Sequence, residues 1–350
     1  MPHINSLKIH QFRNFPTQEW QFGPELNLII GQNGSGKTSI LEALYFLAHG
    51  RSFRVKELNR MIHQGHAQFT LFTELTDGDD QYTLAMQRSM NGDNKNRLNH
   101  VDLKSASQFA ERLPVLLFNP ESFQLLSGGP KSRRQMIDWG VFYHYPLLRP
   151  HYLNVKRALK QRNASLKQNQ PRSQVRLWET TIIENVHEIN QARQDYLNLL
   201  FSSTEHILHE FMQTHLLEFR FEQGWPETED LMTLWDKTYQ QDVRFGTTQY
   251  GPHQADLKII SHKKPARDLL SRGQQKLLIT ILKLAQGKLL QEAFNKTPVY
   301  LLDDLASELD EVHQKFLWDY LLAQKAQVIL TSIQEQGYLQ QGDTQIIHLE

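Results

Sequence analysis

The fold is decided by the stretch Leu26-Asn27-Leu28-Ile29-Ile30-Gly31-Gln32-Asn33-Gly34-Ser35-Gly36-Lys37-Thr38, which continues as Ser39 to Leu47. An apolar run rich in β-branched residues leads into a glycine-rich loop, and the segment after the loop carries apolar residues at a helical period. The loop matches the pattern G-x-x-x-x-G-K-[ST] without a mismatch. The order strand, loop and helix therefore predicts a phosphate-binding loop.

The residue types in this loop suit a nucleoside triphosphate. Its glycines let successive backbone N–H groups turn toward a polyphosphate, and the helix that follows adds the positive end of its dipole. We expect Lys37 to reach the β and γ phosphates and the Thr38 hydroxyl to bind Mg²⁺. The predicted cofactors are ATP and Mg²⁺, and the predicted cofactor-binding residues here are Gly31, Gln32, Asn33, Gly34, Ser35, Gly36, Lys37 and Thr38.

A second apolar run, Val299 to Leu302, ends in two carboxylates, Asp303 and Asp304. Mg²⁺ in a nucleotide site takes one or two carboxylates together with waters and phosphate oxygens. We therefore predict Thr38 and Asp303 as the metal ligands. Asp304 is predicted to orient or deprotonate the attacking water, so Asp304 and Lys37 are the predicted catalytic residues.

The segment Ser271-Arg272-Gly273-Gln274 starts another predicted helix. A serine, a glycine and an amide at a helix start form a second phosphate-binding surface. Because the phosphate loop already satisfies its own nucleotide, Ser271, Gly273 and Gln274 are predicted to bind a nucleotide that is held by another copy of the chain. This predicts an ATP-dependent homodimer with two ATP molecules at its interface, which hydrolysis reopens.

Composition restricts the class of protein. The 350 residues, 39% of them hydrophobic, suffice for two domains or for one domain with a large insertion. The chain has no cysteine, which excludes disulfides and thiolate metal sites. Since the sequence has neither a signal peptide nor an apolar run near the ~18 residues that cross a bilayer, we expect a cytoplasmic protein without a membrane partner.

The charge is zero overall but unevenly distributed. Residues 131–176 contain eleven Lys or Arg and a single acid, Asp138. This distribution creates a local positive field, and the basic residues at the start of a predicted helix oppose its dipole unless an anion binds there. The segment predicts DNA binding, and the alternative is a solvated helix face. The predicted DNA contacts are Lys131, Arg133, Arg134, Lys156 and Lys160.

Helical periodicity predicts two long helices, over 151–168 and from Ser173 to beyond Phe201. The second has a heptad seam over positions 175, 178, 182, 185, 189, 192, 196 and 199, with one polar position, Asn185. Both a short arm of two antiparallel helices and a plain helical subdomain agree with this pattern. Alternating residues and turn dipeptides predict antiparallel strands over 67–102. Strand patterns thus precede the two helices, and others follow them, so we predict an N-terminal head part over 1–130, a basic helical insertion over 131–217 and a C-terminal head part over 218–350.

With these motifs the chain resembles the RecF family, bacterial DNA repair ATPases similar to SMC and ABC heads. The segments that carry the resemblance are Phe12–Phe15, Gly31–Thr38, Gly50–Arg54, Pro120-Glu121, Leu126–Arg134, Asp138–Gly140, Lys160–Asn163, Gly251–His253, Leu270–Leu278 and Leu302–Asp310.

The resemblance implies an α/β fold, an ABC/SMC-type P-loop ATPase head with an inserted α-helical subdomain that forms a short coiled-coil arm. It also implies ATP-dependent binding to DNA near single-strand gaps, in duplex and single-stranded form. The implied partners are the RecO and RecR mediators, with help in loading RecA during recombinational repair, replication and the SOS response.

Two departures from an ABC site predict slow turnover. Asp304 stands where many relatives carry Glu, and Thr331-Ser332-Ile333 follows the last core strand, where ABC proteins often place a histidine. Glu121 is our candidate for the glutamine-loop role. The alternatives are the ATPase subunit of an ABC transporter, another SMC-like ATPase, or a small-molecule kinase. The basic insertion counts against the transporter, and a kinase leaves Ser271 to Gln274 unexplained.

Overall fold

The strand before the phosphate loop lies inside a parallel sheet. In the computed structural model, which describes residues 2–211, 217–304, 309–334 and 344–350, this strand is β3 (Leu26–Gly31), and all six of its residues are buried. The other strands are β8 (Val115–Phe118), β12 (Val299–Leu302), β13 (Val328–Ser332) and β14 (Thr344–Leu349). They lie in the order β14-β3-β13-β12-β8, and every neighbouring pair is parallel. The carboxyl ends of the strands therefore meet at one edge of the sheet, where ligands bind in open α/β folds.

An antiparallel sheet covers the other side of the first helix. Its strands are β1 (Pro2–Phe12), β2 (Phe15–Gln21), β4 (Gln68–Asp77), β5 (Asp80–Ser89), β6 (Lys95–Leu98) and β7 (Val101–Asp102), in the order β2-β1-β4-β5-β6-β7. Helix α1 (Lys37–His49) contributes Ile40, Leu41 and Leu44 to a core that both sheets share. The predicted antiparallel strands between 67 and 102 are confirmed, whereas β2 was not predicted.

The chain forms two compact units. The first comprises residues up to 123 and from 290 onward, and the second comprises 124–289. Besides the two sheets and α1, the first unit contains α2 (Ser107–Arg112) and α9 (Glu311–Ala323). The three-part division at 130 and 217 stays a prediction.

The second unit holds most of the helices. They are α3 (Pro130–His144), α4 (Arg149–Lys167), α5 (Arg172–Phe211), α6 (Leu231–Phe245), α7 (Ala266–Leu269) and the larger part of α8 (Arg272–Phe294). A small antiparallel sheet has the order β11-β10-β9, with β9 (Leu217–Glu222), β10 (Asp256–Ser261) and β11 (Lys264–Pro265). Among the described helices, none combines the length and apolar character needed to span a membrane.

Helices α4 and α5 pair as the sequence predicts. The polar seam residue Asn185 is buried and accepts a hydrogen bond from Asn154 at 3.3 Å. The last seam position, Leu199, is exposed, and the adjacent Leu200 is buried instead. Leu231 and Trp235 of α6 complete the core between the two long helices. The pair is therefore part of a three-helix subdomain, and α6 was not predicted.

Candidate nucleotide site

The phosphate loop, residues 31–38, adopts a conformation that requires glycine. Gly34 and Gly36 have φ angles of 90° and 103°, which a side chain disfavours. A Cβ at Gly36 would also lie 2.5 Å from the Phe15 ring. At the start of the loop, a Cβ at Gly31 would lie 2.9 Å from the carbonyl oxygen of Leu349. The loop is thus shaped by its own backbone and by close neighbours.

Lys37 is the first residue of α1, and its side chain turns back across the loop. The ammonium donates hydrogen bonds to the carbonyl oxygens of Gly31, at 2.6 Å, and Gln32, at 2.8 Å. A cation held in this way lies at the mouth of the loop, where a phosphate group bound by the loop amides would meet it.

Asp303 follows β12 at the carboxyl edge of the parallel sheet. Its Oδ1 accepts hydrogen bonds from the hydroxyls of Thr38, at 3.0 Å, and Thr331, at 2.9 Å. Burial raises the pKa of this carboxyl above the ordinary aspartate value, and the two threonine hydroxyls oppose that rise. The structure therefore brings together Lys37, Thr38 and Asp303. A hydroxyl beside a carboxylate is a donor set that Mg²⁺ accepts, so these residues fit the predicted ion.

Asp304 lies next to this carboxylate in an unusual backbone conformation. Its φ is 52°, in the left-handed region, and its side chain is exposed. The Asp304 backbone N–H donates to the Thr331 hydroxyl at 3.1 Å. The candidate glutamine-loop residue, Glu121, is exposed in the turn that follows β8.

A buried carboxylate on α1 is part of this site and was missed in the sequence. Glu42 is fully buried and accepts hydrogen bonds from Arg13, with Nε to Oε2 at 2.8 Å, and from the Ser52 hydroxyl. Arg54 lies 3.5 Å away from the same carboxylate, and its positive charge also acts on Asp303. The signal was present, because an acid on the apolar face of a helix needs partners of opposite charge.

Ser271, Gly273 and Gln274 belong to the second unit and start α8. The Gln274 backbone N–H donates to the Ser271 hydroxyl at 3.3 Å, and the Ser271 N–H donates to the Gln274 side-chain oxygen at 2.9 Å. This is a capping box, in which two otherwise unpaired donors of the helix start are satisfied. The Ser271 hydroxyl keeps its own proton for a further acceptor, and Ser271 and Gly273 are exposed.

The predicted DNA contacts fall into two groups. Lys131, Lys156 and Lys160 are exposed. Arg133 is only 9% exposed and pairs with Asp256, with distances of 2.7 and 3.1 Å between their polar atoms. Arg134 is half-buried and donates to the carbonyl oxygen of Ala255 at 2.6 Å. The prediction that Arg133 contacts DNA is corrected by this placement, since its guanidinium is bound inside the fold.

Other motifs of the resemblance also form the interior of the second unit. Arg193 pairs with Asp138 at 2.8 and 3.0 Å and donates to the carbonyl oxygen of Pro252 at 3.1 Å. Arg162 pairs with the fully buried Glu179 at 2.8 Å. Buried charges need such partners, so these motifs contribute to the architecture of the unit.

Taken together, the phosphate loop at the carboxyl edge of a parallel sheet and the acid that ends a nearby strand define a P-loop ATPase head. The inserted helical unit, which carries the serine-glycine helix start, makes it a head of the ABC/SMC type.

Comparisons with known proteins agree with this class. Residues 3–348 match the RecF/RecN/SMC N terminal domain family. A DNA replication and repair protein RecF from Shewanella pealeana is 42% identical over 95% of this chain and 92% of its own length. The corresponding protein from Shewanella loihica is 39% identical over 99% and 97% of the two chains.

Solved structures of RecF and of an Smc head are similar to this fold. A structure described as the recombination mediator protein RecF-ATP in the RecFOR pathway has a TM-score of 0.87 and 25% identity, and covers 96% of this chain and 93% of its own. An Smc head domain from Pyrococcus furiosus, at 16% identity and covering 95% and 90% of the two chains, has a TM-score of 0.54 and shares the fold. The chain belongs to the RecF family of DNA replication and repair proteins.

Proposed function

We propose that this chain is an ATP-dependent DNA-binding protein of recombinational repair. ATP drives its dimerisation on DNA at single-strand gaps, and slow hydrolysis resets it. The observation that carries the proposal is the convergence of Lys37, Thr38 and Asp303 at the end of the phosphate loop. A related solved structure, whose description names ATP and the RecFOR pathway, supports the choice of nucleotide and process.

The proposed chemistry assigns a role to each residue around the loop. The loop amides and Lys37 bind the triphosphate, and Lys37 exchanges its two carbonyl partners for phosphate oxygens. Thr38 and Asp303 hold Mg²⁺, which neutralises charge on the phosphates when it is bound. Asp304 orients the attacking water, and a shorter acid than Glu holds that water less closely, in keeping with slow turnover.

Nucleotide binding is tested by titrating the protein with a fluorescent ATP analogue. We expect Lys37→Ala to lose binding, because the phosphates lose their only side-chain cation from the loop. Asp304→Asn keeps the binding residues intact, and we expect it to bind ATP, to hydrolyse it at a small residual rate and to accumulate dimers. If Lys37→Ala binds the ATP analogue with unchanged affinity, the phosphate loop is not the nucleotide site.

The dimer part of the proposal depends on the exposed start of α8. A second copy presents the Ser271 hydroxyl, the Gly273 N–H and Gln274 to the γ-phosphate, since the capping box already holds Ser271 in place. We expect Ser271→Arg to bind ATP as the wild type does but to remain monomeric by light scattering. Ser271→Thr keeps a capping hydroxyl and serves as the control. Equal masses with and without ATP in the wild type would refute the shared site.

DNA binding is assigned to the exposed lysines Lys131, Lys156 and Lys160 and to the half-buried Arg134. Affinity for gapped DNA is then expected to fall steeply with salt, and replacing the three lysines by Glu is expected to weaken it further. The control replaces Lys263 and Lys264, two exposed lysines outside the basic segment, by Glu. If both variants bind gapped DNA with equal affinity, the three lysines are not the DNA site.

The cellular part of the proposal follows from the family. We propose RecO and RecR as direct partners, RecA as an indirect one, and a cytoplasmic role in replication and the SOS response. A pull-down of purified RecR with and without ATP tests the first of these contacts.

A further inference from the structure

We propose that Thr331 is a positioning residue that sets the geometry of both acids of the nucleotide site. This inference rests on the proposed ATP hydrolysis and concerns the first residue of the segment Thr331-Ser332-Ile333.

The position of Thr331 follows from the strand order. It lies near the end of β13, which is the strand between β3 and β12. In the sheet register Thr331 is opposite Ile29, and the preceding residue is opposite Leu302. Thr331 therefore stands at the carboxyl edge between the strand of the phosphate loop and the strand of Asp303. Its side chain is 2% exposed, so solvent does not compete for its hydroxyl.

A single hydroxyl serves both acids. It donates to Asp303 Oδ1 at 2.9 Å and accepts from the backbone N–H of Asp304 at 3.1 Å. A threonine hydroxyl has one proton and two lone pairs, so it performs both tasks at once. The same Asp303 oxygen also accepts from Thr38, so two threonine hydroxyls hold one oxygen of that carboxylate.

The contact with Asp304 matters because of its backbone conformation. A φ of 52° is uncommon for a residue with a side chain, and it persists only where the surroundings hold it. The hydrogen bond to Thr331 is one such restraint. Without it, Asp304 can relax to a conformation in which its carboxylate points elsewhere. Removing this hydrogen bond should slow hydrolysis, because that step needs an aligned acid. It should affect ATP binding less, because binding depends on Lys37.

Two substitutions separate the hydroxyl from the shape of the side chain. Thr331→Val keeps the volume and removes both hydrogen bonds. Thr331→Ser keeps the hydroxyl and removes a methyl group. A purely structural role for the side chain predicts that serine is the worse of the two, whereas the positioning role predicts that valine is.

The test compares ATP turnover, affinity for the fluorescent ATP analogue, and ATP-dependent dimer mass. We expect Thr331→Val to lower kcat by about tenfold or more, with a KM and an affinity within about threefold of wild type. Like Asp304→Asn, it should accumulate ATP-bound dimers. Thr331→Ser should keep kcat within about threefold of wild type.

A double variant completes the experiment. In the Asp304→Asn background, Thr331→Val should lower the residual rate by much less than the loss of about tenfold expected in the wild-type background, because only its effect through Asp303 remains. Multiplicative losses, wild-type turnover in Thr331→Val, or an equal loss in Thr331→Ser would overturn the inference. Absence of ATP turnover in the wild-type protein would instead overturn the proposed function.

Discussion

Replacing Arg133 by methionine separates a role in folding from a role in DNA binding. The guanidinium forms a bidentate pair with Asp256, which is 2% exposed, and donates to the carbonyl oxygens of Leu125 and Gly128 at 2.9 and 2.8 Å. Methionine fills much of the same space but leaves the carboxylate without its main partner. Removing one partner of a buried pair costs about 3–5 kcal/mol.

The lower end of that range applies here, because the ammonium of Lys258 lies 2.9 Å from Asp256 Oδ2 and remains. We therefore expect the free energy of unfolding of the second unit to fall by about 3 kcal/mol. At about 2–4 °C per kcal/mol for a domain of 150–250 residues, the melting temperature falls by about 6–12 °C. Denaturant titration and thermal scans followed by circular dichroism measure both quantities.

Lys131→Met, two residues away on the exposed side of α3, is the matched control and should change stability by less than about 0.5 kcal/mol. In the double variant Arg133→Met with Asp256→Leu, much of the loss should return, because no buried charge is left unpaired. Wild-type stability in Arg133→Met, together with a specific loss of DNA affinity, would refute the assignment of Arg133 to the fold.

The remaining predictions concern pH and two other buried positions. Burial opposes ionisation of Asp256, but Arg133 and Lys258 outweigh it and hold its pKa below the ordinary value. The difference in free energy of unfolding between wild type and Arg133→Met therefore has its full size above about pH 4. It shrinks as pH falls through the lowered pKa of the folded state. An undiminished difference in acid titrations of both proteins would contradict this. Gly140→Ala places a Cβ 1.8 Å from the buried ring of Tyr196, so it should cost about 1–3 kcal/mol despite the better helix propensity of alanine; a gain in melting temperature would contradict the close approach. Arg162→Met removes the guanidinium between two buried carboxylates, since Arg162 lies 2.8 Å from both Glu179 and Asp242. Glu179 keeps Arg172 at 2.7 Å, but Asp242 loses its ion pair, so the variant should cost about 3–5 kcal/mol in chemical denaturation, and a neutral result would contradict the pairing.

The phosphate loop could be predicted because its determinants are adjacent in the chain. A strand, three glycines, a lysine and a threonine lie within residues 26–38, and the helix that follows adds its own periodicity. Helix α6 was equally local and was still missed. Its Asp230 cap, which accepts from the Thr233 N–H at 2.9 Å, and its buried Leu231 and Leu234 were the available signals.

The burial of Arg133 could not be predicted in the same way. Its partner Asp256 lies 123 positions later, and a basic cluster on a helix has the same appearance whether its members point outward or inward. Thr331 represents an intermediate case. Its position at the end of a buried strand was visible, and the rule that sites lie at the carboxyl edge of parallel sheets indicates it. Its two hydrogen-bond partners became known only with the strand order.

The strand before the phosphate loop takes both of its sheet neighbours from the far end of the chain. Leu26 is paired with Val328 on one side and with Thr344 on the other. At a ribosomal rate of about 5–20 residues per second, those neighbours are made roughly 15–60 s after β3. Throughout that interval the apolar strand has two open edges, which favour aggregation. We therefore expect the chain to be prone to aggregation during synthesis, and a product truncated before residue 328 would lack both strands that pair with β3.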